Sequence, residues 1–575
     1  MSKKKRQKTK RKAGASPVPE EAWWEKGWVP FALIAGVGAL AHIWCLNAVF
    51  YMDDLWKIRD SYEIEYGSWW KMSLQQWTYF WWSVQWHLFG KSPVGYHAVN
   101  WLLHVAVAVV TYLLGRELLR ESGHGRGLAL AGALLFVSVP LGSEILNYAR
   151  AQDLAWVVLF SLLACWFFAK WAARGGFWWL LLVPLMVAGA TFSKGPGIGH
   201  ALMMLALVVV TILLKERRDR KRRKSWIIGI AALGILVLLI AFPLLEGRWE
   251  WALARFERGN FQWHAVTLCR VFWQFIGLFF NPSGLSADHM VAETRSWKDI
   301  AAVWAVAGVA VWTLLSLGLL FWRKSRVLGV CLFLTVGAIL YRFLFYTNEY
   351  MPEYRIYPAL PWFSLAVVIV VHGLWRALRI NVSPAPLMGL VLIVASFLSA
   401  KRSFLWHDLD DLMANVLEQY PAQSRAIWIL HRRDIDNGEI EAVIRRQQSD
   451  WPKLAKTMRD LYFAEKELRE HNSGLYWAAH AAVKGIYARA VAEKVGPLTG
   501  LGIIDQLEAE LRQMEIKQDL HWQIFRRQKG FVLEIAGRYD EALELLEDSA
   551  KGNNFHADYL RVKALAEGKK SPEGG

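Results

Sequence analysis

Up to about residue 400, long apolar runs alternate with short polar or charged breaks. A helix that crosses a bilayer needs about 20 mostly apolar residues. Runs of roughly that length occur at 28–50, 95–115, 127–146, 152–172, 177–193, 197–214, 226–245, 299–322, 327–346, 358–375 and 385–400. The pattern therefore predicts a polytopic α-helical membrane protein with about eleven spanning helices. A further apolar piece, TLCRVFWQFIGLFF at 267–280, is short for a full span. It is expected to be re-entrant or interfacial, with any non-helical backbone at that depth lining a cavity.

Beyond residue 400 charged residues become common, and apolar ones recur at helical spacing, as in LYFAEKELREHNSGLYWAAHAAV. No run there is long enough to span. RRQKGFVLEIAGRYDEALELLEDSAK reads as half of a tetratricopeptide repeat, with Gly537 at the turn followed by Tyr539 and Ala542, and DNGEIEAV at 436–443 is a weaker echo. A solenoid needs about three repeats, so the region is either repeat-like or an unrelated helical bundle. The domain plan is a basic tail over 1–27, a multispanning domain over 28–400 with long connections at 51–94 and 246–298, and a mostly helical domain over 401–575.

Composition agrees with this plan. Of the 575 residues, 55% are hydrophobic and 20% charged, with a mean hydropathy of +0.20. A soluble protein carries about a quarter charged residues, so a soluble globular enzyme, a disordered tail protein and a disulfide scaffold are excluded. Cys45, Cys165, Cys269 and Cys331 are far apart and read as buried small hydrophobes. The net charge of +17 is concentrated in the tail MSKKKRQKTKRK and in KERRDRKRRK at 215–224, both flanking apolar runs. No groove-reading motif accompanies it, so membrane lipid rather than nucleic acid is the expected partner.

The basic tail is separated from the first apolar run by SPVPEEAWWEKGW, with no cleavage site close behind, so that run is expected to stay as an anchor. With the tail cytoplasmic, the inner connections hold Arg116, Arg120 and Arg126; Lys170 and Arg174; the 215–224 cluster; Arg323, Lys324 and Arg326; and Arg376 and Arg379. All five are basic, as the positive-inside rule requires. The expected setting is a multi-pass protein of a bacterial inner membrane, with a cytoplasmic N-terminus and a periplasmic C-terminal domain; an endoplasmic reticulum membrane fits less well.

The chemistry gathers on the other face. Asp53 and Asp54 follow the first span, ahead of a helix-like stretch holding Trp69, Trp70, Trp77, Trp81, Trp82 and Trp86 that is expected at headgroup level. A carboxylate there suits a base that takes a proton from an acceptor hydroxyl, alone or beside a divalent metal; the plain alternative is a helix cap. SEILNYARAQDLAWVV sets Glu144, Arg150 and Asp153 in a short turn between spans, and ionisable groups at that depth are functional candidates. Arg150 suits either a phosphate or one of those acids. Lys194 in TFSKGPGIG suits a phosphate or snorkels to the headgroups. NEYMPEYRIYPALPW brings Glu349, Glu353 and Arg355 to the same surface, where Arg355 is either a bidentate phosphate ligand or an interfacial anchor. His97, Asn100 and His104 share one helical face and are expected to hydrogen-bond within the bundle.

In this order the motifs resemble the multispanning glycosyltransferases of the C superfamily, nearest the protein O-mannosyltransferase-like and transmembrane-and-tetratricopeptide-repeat members. The likeness is carried by Asp53-Asp54, GYHAVNWLLH, SEILNYARAQDLAWVV, the SK of TFSKGPGIG, LFFNPSGLSADH and EYRIYPALP. Departures are QQWTYFWW in the first loop, SVPLGSE without histidines before the glutamate, Gly195 after the SK pair, and the changed residue order of EYRIYP. The resemblance implies transfer of a sugar from a polyprenyl-phosphate carrier, with inversion at the anomeric carbon. The acceptor is a hydroxyl of a protein or a glycan. It implies Asp53 or Asp54 as base, Arg150, Lys194 and Arg355 as ligands of the donor phosphate, and Glu144, Asp153 and Glu353 in support. No cofactor is certain, and the acidic pair accommodates either metal-free catalysis or a divalent ion. Two other readings share the plan: a non-catalytic scaffold acting through its helical domain, and a surface polysaccharide polymerase or ligase.

Overall fold

A computed structural model describes residues 26–71, 75–215, 261–322, 324–341, 350–420, 426, 496–513 and 519–550, with scattered positions in 481–493 and 562–567. The chain divides into two compact units. The first takes residues 1–285, 297–346 and 353–408, the second 286–296, 347–352 and 409–575. All regular structure among the described residues is helical.

In the first unit the principal helices are α1 (Val29–His42), α2 (Gln76–Phe89), α3 (Pro93–Leu118), α4 (Gly125–Ser138), α5 (Gln152–Arg174), α6 (Phe177–Ser193), α7 (Gly197–Lys215), α8 (Phe261–Phe280), α9 (Ile300–Phe321), α10 (Arg326–Leu340), α11 (Leu360–Ala377) and α12 (Ala385–Phe404). Their starts follow local chemistry. Pro93 opens α3, where its missing N–H costs nothing. Asp299 caps α9 by accepting the N–H groups of Ala301 and Ala302 at 3.0 and 3.3 Å. At Gly132 of α4 an added Cβ would come within 2.5 Å of Leu365, so glycine there lets α4 and α11 approach closely.

Seven described helices are long and apolar enough to cross a membrane, eight if the bent pair Gly125–Ser138 and Pro140–Asn147 is one span. The chain is thus a polytopic helical membrane protein. Three further expected spans are apolar helices shorter than that criterion, Phe177–Ser193, Gly197–Ile212 and Arg326–Leu340, and 226–245 lies outside the described residues. One difference stands out. Inside the expected loop 246–298, α8 runs for 20 residues and meets the length and hydropathy of a span. Its first half carries Gln262 and His264, ahead of the apolar piece that starts at Thr267; His264 and Thr267 are buried, so their polarity does not face lipid.

The bent pair turns by 61° at Pro140, and the chain then runs irregularly through the buried interior to α5. Backbone groups there have no water and must bond to protein. The carbonyl of Val137 accepts from His42 Nε2 at 3.1 Å and His104 Nε2 at 3.4 Å. Ser399 of α12 donates to Ser138 O. From α3, Asn100 Nδ2 donates to the carbonyls of Ile145 and Tyr148, at 2.9 and 3.3 Å, and His97 Nδ1 to that of Leu146 at 2.8 Å. The face His97–Asn100–His104 therefore does bond within the bundle, though to backbone carbonyls more than to other helices' side chains. Asn100 Oδ1 in turn accepts from Gln152, which exchanges amide hydrogen bonds with Gln85 of α2. Thr78 of α2 also donates to Ser193 O. The tryptophan-rich helix is thus held to the protein by its polar side chains, while Trp81 stacks on Trp156. All four cysteines are free and buried.

In the second unit the helices described are α13 (Leu409–Gln419), α14 (Pro497–Gln513), α15 (Asp519–Ile535) and α16 (Tyr539–Ala550). α15 and α16 form a helical hairpin where the half-repeat was read. Gly537 has φ +72°, and Arg538 N donates to Leu533 O, a glycine-terminated helix end. Ala542 is buried in the unit's core. The echo at 436–443 lies outside the described residues.

Asn100 satisfies two buried carbonyls and one amide, so Asn100→Ala should cost about 1–3 kcal/mol. The expected result is a lower melting temperature for the detergent-solubilised chain; an unchanged one would mean that other groups satisfy those carbonyls.

Candidate active site

After α1 the chain passes through a short 3-10 turn, Ile43–Asn47, and an extended stretch to Asp53 and Asp54. Val49 N donates to Trp406 O, which fixes the path of this stretch. Met52 has φ +45°, a left-handed conformation that costs a non-glycine residue about 1–2 kcal/mol. The turn is held by Asp54: its N–H donates to Tyr51 O, and its Oδ2 accepts Tyr51 N at 3.0 Å. A π-helical turn, Leu55–Arg59, follows, a rare form that is frequent at functional sites.

Asp54 is fully buried. Besides Tyr51 it accepts the N–H groups of Ala149 at 3.3 Å and Arg150 at 2.6 Å, joining the first loop to the start of the third connection's last turn. Burial pushes its carboxyl up to about 8, against those N–H donors, which favour the ionised form. Asp53 has a different setting. Its side chain is 36% exposed, with Oδ2 at 3.7 Å from Lys57 Nζ and 4.0 Å from Arg150 Nε. Two acids adjacent in sequence thus have separate tasks open to them: one is enclosed by backbone, the other faces outward between cations.

Arg150 bonds to Asp153 through Nη1 and lies over the Trp82 ring at 5.4 Å, while its buried Nε makes no hydrogen bond. Asp153, almost wholly enclosed, is also 3.0 Å from Lys194 Nζ. It holds both cations in place. Lys194 sits 5.7 Å from the centre of the Tyr354 ring, and Arg355 lies at the same distance from that ring. Tyr354 is anchored by its own N–H, which donates to the buried carboxylate of Glu144 at 2.6 Å. Arg355 Nε reaches the Tyr354 hydroxyl at 3.4 Å. Glu353 pairs with Arg402 on α12 at 3.5 Å.

Seven of the eight residues read from sequence, Asp53, Asp54, Glu144, Arg150, Asp153, Lys194 and Arg355, therefore form one connected group, with Glu144 and Arg355 joined through Tyr354, while Glu353, next to Tyr354 in the chain, pairs with Arg402. Glu349 lies outside the described residues. Lys57 was not foreseen, although it stands one helical turn after Asp53 and so on the same side. Burial and the neighbouring Arg150 lower its pKa. Lys57, Arg150 and Lys194 thus stand together around Asp53 and Asp153. No three His, Cys, Asp or Glu side chains converge as a metal site among the described residues, and Asp54 and Asp153 are taken up by N–H groups and cations.

A raised pKa for Asp54 means that the folded state keeps a proton that the unfolded chain has lost. That stability is full below about pH 4 and is lost as pH rises through about 8. The melting temperature of the native protein should fall between about pH 4 and about pH 8 more steeply than that of Asp54→Asn, which has no proton to lose. Parallel pH profiles would place the Asp54 titration elsewhere.

Comparison with known proteins adds independent support. Residues 78–245 match the model of the dolichyl-phosphate-mannose-protein mannosyltransferase family. A protein O-mannosyl-transferase of Caenorhabditis elegans is 22% identical over 375 residues, which is 63% of this chain and 51% of the relative. The chain thus aligns with about half the length of that curated relative. No solved structure matches. The matched family segment contains Arg150, Asp153 and Lys194, at the centre of the group described above. Both comparisons bear out the resemblance read from the motifs: over residues 78–245 the chain is similar to the dolichyl-phosphate-mannose-protein mannosyltransferase family, and more distantly over 375 residues to a protein O-mannosyl-transferase.

Proposed function

We propose that the protein is an inverting glycosyltransferase that moves mannose from a polyprenyl-phosphate carrier to a hydroxyl of a protein acceptor at the outer membrane face. The observation that carries this reading is the outward-facing Asp53 carboxylate set between Lys57 and Arg150. The acceptor oxygen attacks the anomeric carbon from the side opposite the phosphate. Its proton passes to Asp53. The bond between the anomeric carbon and the phosphate oxygen breaks, and the polyprenyl phosphate leaves with the electron pair. Arg150, Lys194 and Lys57, with Arg355 beyond Tyr354, offset the charge that grows on that phosphate. Asp153 sets Arg150 and Lys194; Asp54 sets the backbone of Arg150.

Mannose and a protein acceptor come from the likeness to the mannosyltransferase family and its worm relative. The orientation, with the basic connections on the inner side of the membrane, rests on the distribution of Lys and Arg.

The test is transfer from polyprenyl-phosphate-mannose to membrane-associated protein acceptors by the chain reconstituted in lipid vesicles. Asp53→Asn should lower the rate by about 10²–10⁴-fold, the contribution of a general base, without a change in melting temperature. Native-level transfer by Asp53→Asn would remove Asp53 as base.

A further inference from the structure

Three segments carry the candidate site: the first loop, the connection through 143–151 and the turn Glu353–Ile356. The last turn of α12 and the 3-10 turn Leu405–His407 that follows it touch all of them. Trp406 O accepts Val49 N, and the Trp406 ring stands edge-on to Tyr51 at 5.4 Å, ahead of Asp53. The Ser403 hydroxyl accepts from Asn147 Nδ2 at 3.2 Å. Arg402 pairs with Glu353 at 3.5 Å, and both side chains are buried.

A buried guanidinium in a spanning helix carries a large desolvation cost unless paired and hydrogen-bonded. Arg402 is paired but incompletely bonded. Its Nε and Nη2 make no hydrogen bond, and its cation lies 5.9 Å from the Trp406 ring. Apolar side chains would fill this position more cheaply. Its placement matters for what Glu353 precedes: Tyr354, whose ring lies beneath Lys194 and Arg355.

We infer that Arg402 is a positioning residue for the donor-phosphate subsite. By holding the Glu353 carboxylate, it fixes the 353–356 turn at a second point besides the Glu144 hydrogen bond, so that Tyr354 presents its face to Lys194 and Arg355. Arg402 itself touches none of the cations that meet the phosphate. The inference rests on the reading of that subsite given under Proposed function.

The experiment measures binding of a polyprenyl monophosphate, the leaving product, to the full chain in detergent micelles, alongside its melting temperature without ligand. Glu353→Gln and Arg402→Gln should each weaken binding about tenfold, the effect of one misplaced charge-assisted hydrogen bond. The double variant should be no weaker than either alone, since both break one link. Arg402→Lys should recover part of the loss, because it keeps the charge without the planar fork. Should Arg402→Gln not reach the membrane, Arg402→Lys compared with Glu353→Gln makes the same test. Native-like affinity in these variants, even with a lower melting temperature, would show a purely structural pair and overturn the inference, as would losses that add in the double variant. If the native chain itself binds no polyprenyl monophosphate, the donor-phosphate reading fails and takes this inference with it.

Discussion

The interaction on which the rest depends is the set of hydrogen bonds around the irregular backbone from Val137 to Arg150. A chain inside a membrane bundle cannot leave its N–H and C=O groups to water. Here His42, His97, Asn100, His104 and Ser399 satisfy the carbonyls, and Asp54 takes the two N–H groups at the far end. Because these donors come from α1, α3 and α12 and the acceptor from the first loop, satisfying one buried strand of backbone also ties those elements together. Arg150 lies at the end of that strand, and its position follows from the same bonds.

From this arrangement follows the division of work between the two adjacent acids. Asp54 is committed to backbone, which leaves Asp53 facing outward beside Lys57 and Arg150. Asp153, enclosed between Arg150 and Lys194, keeps two like charges close that would otherwise repel. The site is thus a layered arrangement: backbone satisfied by Asp54, cations gathered by Asp153, and one carboxylate left available. Carboxylates of equal standing in the sequence differ here by what surrounds them.

Much of this was legible in the chain itself. The apolar runs marked most of the helices, and the acids and bases between them marked the ends that assemble into one group. The face His97–Asn100–His104 was read as hydrogen-bonding within the bundle, but its carbonyl partners depend on the bend at Pro140, which places 137–148 beside α3 and which spacing alone does not reveal. Asp53 and Asp54 could not be told apart, because burial is set by the distant residues 149 and 150. Lys57 joins the group through Asp53, one helical turn before it. Arg402 lies just beyond the run ending at 400, and its role shows only in the packing of Glu353 against it. α8 was missed as a span-length helix because polar residues that are buried in the protein interrupt its apolar pattern.

The central claim is that Asp53 takes the acceptor's proton in a sugar transfer. The most direct measurement is a glycan profile of membrane and exported proteins from cells lacking the protein, complemented with native chain or Asp53→Asn at matched membrane abundance. The account predicts that the native chain restores a hexose-sized mass difference on specific proteins and that Asp53→Asn does not. Equal restoration by both would contradict it.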